Sequence, residues 1–241
     1  MFHIIVRARN CSAYIRNCLI SICNQTEDDF RCWIVLDAPK DDTANIVGKM
    51  ILVWEDDRFK MTVNPERMGL GYNIWYGVKF AEKECRIEDD DVLAWVDGDD
   101  ALREDALYFV KRKYDKHPET LVTYGSYIAI SKNRKTRVSQ KYSGKIAVRK
   151  EKWHGSHLKT MKYKVFKAIP EDEFKHEGKW AEATSDRALM YAAVELAGYD
   201  RAKHIRQPIY YWNDHTGDNT RKDLQKKWDK IFRARKPLPK L

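Results

Sequence analysis

The chain is 241 residues long, enough to bury a full core, and at that length one large domain, or one domain with an attached lobe, is expected rather than two independent ones. Lysines and arginines number 45 against 36 acids, a formal charge of +9 that invites a polyanionic partner or an anionic membrane surface. The 5 cysteines are odd in number and include no Cys-x-x-Cys pair, which argues for reduced thiols in a cytoplasmic protein.

Phe2-His3-Ile4-Ile5-Val6 reads as a strand, and because the chain opens directly in it, with no basic leader or long apolar stretch, neither a signal peptide nor a membrane span is expected. Tyr14, Ile15, Cys18, Leu19 and Ile22 then recur at helical spacing. Cys32-Trp33-Ile34-Val35-Leu36 is strand-like again and ends at Asp37. The turn chemistry of Ala38-Pro39-Lys40-Asp41-Asp42-Thr43 predicts a helix over 44–49. A weaker strand at 59–63 precedes a helix marked by Ile74, Val78, Ala81 and Cys85. Val92-Leu93-Ala94-Trp95-Val96 closes the series and runs straight into Asp97-Gly98-Asp99-Asp100.

Strands alternating with helices predict an α/β fold, a mostly parallel sheet with helices on both faces. Ligands of such sheets bind beyond the carboxyl ends of the strands. Asp37 and Asp97 both sit at such ends, so they are expected to face one crevice. Clustered carboxylates at a sheet edge are favourable only beside a cation, and their hard oxygens suit Mg²⁺ or Mn²⁺ better than zinc. The plainer alternative is an Asp-Gly turn followed by acids in the first turn of a helix over 101–106.

Five segments in order carry a resemblance: residues 4–10; Cys18-Leu19-Ile20-Ser21-Ile22-Cys23-Asn24-Gln25-Thr26; Ile34-Val35-Leu36-Asp37 with Asp42-Thr43; Asn64-Pro65-Glu66-Arg67-Met68-Gly69; and Val96-Asp97-Gly98-Asp99-Asp100. Together they resemble family 2 glycosyltransferases of the GT-A fold. The chain departs from that family in having Arg7-Ala8-Arg9-Asn10 where Pro-Thr-Tyr-Asn is usual, and Ala38-Pro39-Lys40 where a second Asp and small residues are usual. The resemblance implies a single GT-A, Rossmann-like domain over 1–241, with a nucleotide-sugar-binding half at 1–105 and a smaller acceptor half at 106–241. It also implies a nucleotide-sugar donor, most often a UDP-sugar. Arg7, Ala8, Asn10, Asp37 and Arg67 would then contact the nucleoside, Asp97 its ribose or the metal, and Asp99, in a DXD motif, the Mn²⁺ or Mg²⁺ that holds the diphosphate. A divalent ion offsets the charge that grows on the departing phosphate oxygens. As plainer alternatives, Arg67 is a surface turn residue and Asp37 a strand-end cap.

In the second half, a strand is expected over 121–130. An inverting transferase needs a carboxylate to take the acceptor hydroxyl's proton. Asp186 is the candidate: Ala183-Thr184-Ser185-Asp186 precedes a helix whose Leu189, Ala192, Ala193 and Leu196 share a face and which Gly198 stops. Related transferases place their base at the start of a helix in this part of the chain; the alternative is an Asp that merely favours the helix end. Glu182 is the reserve. Gly155-Ser156-His157-Leu158-Lys159-Thr160-Met161-Lys162 and Pro208-Ile209-Tyr210-Tyr211-Trp212-Asn213-Asp214-His215 resemble segments of bacterial and phage members. On that likeness His215 is a further metal ligand or else a polar surface residue, and His154 and His157 are acceptor contacts or else pack against Trp153.

The basic excess falls in two stretches. One is a polar connection from Ser131-Lys132-Asn133-Arg134-Lys135 through Lys141 and Lys145. The other is the tail, where Leu224, Trp228 and Ile231 at helical spacing lie among Lys226, Lys227 and Lys230, a basic C-terminal helix. It reads as contacting phosphates, as docking peripherally to lipid headgroups, or as packing on the core with a solvated face. The acceptor expected is a 5-hydroxymethylated pyrimidine in DNA, which in a duplex has to leave the stack, in the host cytoplasm if the protein is phage-encoded. The alternative is a lipopolysaccharide or other surface-glycan acceptor. A metal-dependent nuclease and a non-catalytic nucleotide-binding module are the remaining classes.

Overall fold

The computed structural model of the protein describes residues 1–130, 136–214 and 221–241. Strand β1 (Phe2–Ala8) pairs in parallel with β2 (Phe30–Leu36) on one side and β4 (Val92–Asp97) on the other, and β3 (Phe59–Val63) adds in parallel to β2. Helices α1 (Ile15–Cys23), α2 (Thr43–Trp54) and α3 (Leu70–Glu84) make the crossovers between these strands. The sheet then continues through residues of the second half: β8 (Lys159–Lys162) runs antiparallel to β4, and β6 (Val122–Ala129) antiparallel to β8. Next, β11 (Ala202–Trp212) lies parallel to β6, and the short β5 (Ala101–Leu102) antiparallel to β11. β7 (Thr136–Arg137) hangs off β6, and β9 (Lys175–His176) with β10 (Lys179–Trp180) forms a separate two-stranded ribbon.

Alternation along the strands sorts side chains onto two faces. Ile5, Trp33 and Leu93 pack under α3, α6 (Ser185–Ala197) and α7 (Lys222–Arg233), while Ile4, Val6 and Ile34 pack under α1, α2 and α4 (Ala106–Lys116). All six strand side chains are fully buried, each stabilising the fold by about 1.5–3 kcal/mol relative to exposure. α3 approaches β1 so closely that a Cβ on Gly77 would lie 2.3 Å from Cγ2 of Ile5, which only a glycine avoids. One further short helix, α5 (Tyr163–Lys167), follows β8.

Three expectations shift in detail. α2 runs to Trp54 rather than 49, because the chain first turns left-handed at Glu55. The acids after β4 lead into a strand and not into a helix: Ala101 and Leu102 pair with Tyr211 and Tyr210, and α4 starts only at Ala106. The basic tail is a helix packed on the core, with Trp228 and Phe232 buried and Lys226, Lys227 and Lys230 exposed. Among the described residues no helix is long and apolar enough to cross a membrane. The stretch 131–135 of the basic connection and His215 lie outside the described residues.

Candidate active site

β1, β2 and β4 end side by side, and the turns that leave them line a cleft of about 380 Å³. Its other wall comes from the segment before β8, the start of α6, the end of β11 and the start of α7. The register sets Arg7 opposite Asp97, and the Arg7 guanidinium donates to the Asp97 carboxylate. Burial alone would lower the Arg7 pKa, but Asp97 and Asp186 outweigh it and keep the cation. The chain can then double back past β1 only because residue 98 is glycine: a Cβ there would lie 2.6 Å from Cβ of Ala8.

Asp100 is the buried acid of the β4 cluster. It is 3 % exposed, and its carboxylate accepts from the Tyr210 hydroxyl at 2.6 Å and from the Asn213 amide at 2.7 Å. Burial first, and then the like charges of Asp97 and Asp99, push its pKa well above the usual carboxylate range despite those two bonds. Asp97, Asp100 and His157 each offer a ligand atom, and these atoms lie within 4.8 Å of one another. Crowded, partly desolvated carboxylate oxygens of this kind fit a hard divalent cation. Asp99 lines the same cleft.

Asp37, at the end of β2, is 5 % exposed and accepts from the amides of Met68 and Gly69 and from Asn64 Nδ2 at 2.7, 3.2 and 3.1 Å. It therefore both lines the cleft and closes the 64–69 loop that carries Arg67 into the lining. Arg9 braces the same corner, donating to the carbonyls of Asp37 and Ala38 at 2.6 and 2.9 Å.

Across the cleft, Asp186 stands in the first turn of α6 with Lys159 Nζ 3.6 Å from its Oδ2. His157 stacks on Tyr210 at 4.4 Å, with Nδ1 3.1 Å from Lys159 Nζ. Its burial, with Lys159 and Arg7 nearby, holds its pKa well below the ordinary value against the pull of Asp186, so the ring is neutral at pH 7. Arg187 reaches the cleft while paired with Asp229 of α7 at 2.7 Å, and Glu182 lies 3.6 Å from Arg221.

The sequence profile described as "Glycosyl transferase family 2" matches residues 3–171, more than half of the chain. The chain belongs to glycosyl transferase family 2. EpsH of Bacillus subtilis, named for a glycosyltransferase, is 32% identical over 102 residues, covering 42% of this chain and 27% of EpsH. Among solved structures, TarS 1–349 of S. aureus in complex with UDP-GlcNAc superposes with a TM-score of 0.67 at 20% identity, over 90% of this chain and 59% of that one. The mannosyltransferase PcManGT of Pyrobaculum calidifontis, in complex with GDP-Man and Mn²⁺, gives a TM-score of 0.65 at 17% identity, over 98% of this chain and 65% of that one. The chain thus spans about a quarter of EpsH and less than two thirds of TarS 1–349, and it shares the GT-A fold of these structures.

Within this family 2 chain, Arg7, Ala8, Asp37, Arg67, Asp97, Asp99, His157, Glu182 and Asp186 all line one cleft. Asn10 does not: it sits exposed in a left-handed turn and its Oδ1 accepts from the Lys40 amide at 2.7 Å. His154 also lies outside the lining, edge-on to Tyr142 at 5.3 Å, and so do the exposed Lys226, Lys227 and Lys230. Sequence reasoning missed Lys159, Arg187 and the pairing of Tyr210 with Asp100. Trp153 and Trp212, which line the cleft, stood in or beside segments already singled out.

Proposed function

We propose that the chain moves a sugar, with inversion, from a nucleotide-sugar in this cleft to an acceptor hydroxyl. The observation that carries the reading is the placement of the Asp186 carboxylate across one cleft from the acids at the end of β4. The acceptor oxygen attacks the anomeric carbon as its proton passes to Asp186, and the bond to the diphosphate breaks with its electron pair leaving on the phosphate oxygen. Asp97, Asp99 and Asp100 would hold a Mn²⁺ or Mg²⁺ ion, whose chemistry is to offset charge on the departing diphosphate. Asp37 and Arg67 border the nucleoside side. The solved relatives carry UDP, UDP-GlcNAc and GDP-Man, so both bases are candidates, with UDP favoured by the motif set.

A hydroxymethylated pyrimidine in DNA is the acceptor we favour, supported by the charge of +9 and by the exposed Lys226, Lys227 and Lys230. The second reading, a surface glycan near a membrane, has less support from α7, whose apolar face is already packed on the core. Incubation with UDP-sugars or GDP-mannose and Mn²⁺ is expected to release free nucleoside diphosphate, faster with the right acceptor. A chain that releases none from either donor is not a transferase of this kind. If DNA is the acceptor, its binding weakens log-linearly with salt at a slope of about −0.9 per phosphate contacted, and reversing Lys226, Lys227 and Lys230 to Glu flattens that slope.

A further inference from the structure

Lys159 carries a charge where charge is unfavourable. Its side chain is 4 % exposed, on β8 opposite Trp95 of β4, and an unpaired ammonium in such a place costs several kcal/mol. Two neighbours account for it: His157 Nδ1 at 3.1 Å and Asp186 Oδ2 at 3.6 Å. Donation to Nδ1 makes that nitrogen an acceptor and leaves the ring proton on Nε2. The ring is itself clamped, stacked on Tyr210 and edge-on to Tyr127 at 5.8 Å. Lys159 is thus tied to the sheet on one side and to the carboxylate on the other. It does not line the cleft, whereas His157 and Asp186 do, so it acts from behind them.

An aspartate in the first turn of a helix, its side chain 32 % exposed, has several rotamers open to it. A misplacement of about 1 Å at a reacting group can lower a rate about a hundredfold. A fixed cation on one oxygen removes that freedom. We propose that Lys159 is the positioning residue of Asp186: its buried ammonium, anchored on His157, holds one carboxylate oxygen so that the other faces the acceptor hydroxyl. The inference rests on the reading of Asp186 as the base. In the step itself the proton passes from the acceptor hydroxyl to the free oxygen of Asp186, and Lys159 neither gives nor takes one.

The test compares Lys159→Met, Lys159→Ala and Asp186→Asn with the wild type, following release of nucleoside diphosphate from UDP-GlcNAc and from GDP-mannose with water as acceptor. Lys159→Met keeps the volume and removes the charge, so its Tm is expected to stay level or rise and its donor KM to stay within about twofold, while the rate at saturating donor falls about tenfold or more. Added methylamine is expected to restore several-fold activity to Lys159→Ala and none to Asp186→Asn. A Lys159→Met protein with the wild-type rate, beside an inactive Asp186→Asn, overturns the role of Lys159 and leaves the base in place. Loss of rate only in step with loss of Tm, with no response of Lys159→Ala to methylamine, makes Lys159 a packing residue and overturns it as well. Wild-type turnover in Asp186→Asn overturns the base reading instead.

Discussion

Two charge clusters in this molecule differ in their make-up. Around Arg149, whose side chain is 2 % exposed, the guanidinium donates to both oxygens of Glu195 at 2.8 and 2.7 Å, to Glu173 at 3.0 Å and to the Phe232 carbonyl at 2.8 Å. Arg235 adds a second cation 3.4 Å from Glu173, so two cations meet two carboxylates. At the end of β4, Asp97, Asp99 and Asp100 crowd together with Arg7 bound to Asp97, and Asp100 is driven toward its protonated form. The balanced cluster ties α6 and α7 to the segment before β9. The acidic one lines the cleft, where the proposed cation and the phosphates it would carry are to bind.

The contrast breaks most visibly through chemistry on one side and stability on the other. Asp186→Asn, across the cleft from the acidic cluster, is expected to lower turnover about two to four orders of magnitude with Tm and donor affinity little changed; a large fall in Tm instead would make Asp186 a helix-end residue. Arg149→Met leaves Glu173 and Glu195 without their main partner and is expected to cost about 3–5 kcal/mol, lowering Tm by about 10 °C in calorimetry. Unchanged melting would show that the balanced cluster contributes nothing.

Histidines sharpen the comparison more gently. Burial lowers the pKa of His3, His154 and His157, and it holds His204 down to about 4 with help from Lys141 and Lys113. The folded chain thus keeps these rings neutral while the unfolded chain protonates them near 6.5. Their contribution is complete above about pH 6.5 and is lost as pH falls from there toward 4, so Tm is expected to drop several degrees between pH 7 and pH 5. A flat Tm over that range contradicts the burial assigned to them. The smallest effect is Asp100→Asn, expected to change stability by less than about 1 kcal/mol in urea unfolding, because relief of the like-charge crowding is set against the acceptor that the Tyr210 hydroxyl loses. A larger destabilisation would mean that the hydrogen bonds of Asp100 outweigh the crowding.

The parallel half was legible because each strand is a short apolar run ending in a signal residue: β2 in Asp37 and β4 in Asp97. The start of α6 was legible too, from the spacing of Leu189, Ala192, Ala193 and Leu196 and the stop at Gly198. What escaped came from pairing at long range. Ala101 and Leu102 become a strand only through Tyr210 and Tyr211, more than a hundred residues later, and local acids in 99–105 had a helix start as their plainer alternative. Lys159 looks like any lysine in a mixed strand until β8 sets it between His157 and Asp186. Asn10 sat in a recognisable motif, yet a left-handed turn directs its side chain to Lys40 and out of the cleft.

The most direct test is calorimetric titration of UDP and of GDP into the wild type and Asp99→Asn, each with Mn²⁺ and with EDTA. One nucleotide is expected to bind the wild type one to one with Mn²⁺, and to lose about tenfold or more in affinity both in EDTA and in Asp99→Asn. Binding of neither nucleotide, or binding indifferent to both EDTA and the substitution, would contradict a nucleotide-sugar site built on the acids at the end of β4.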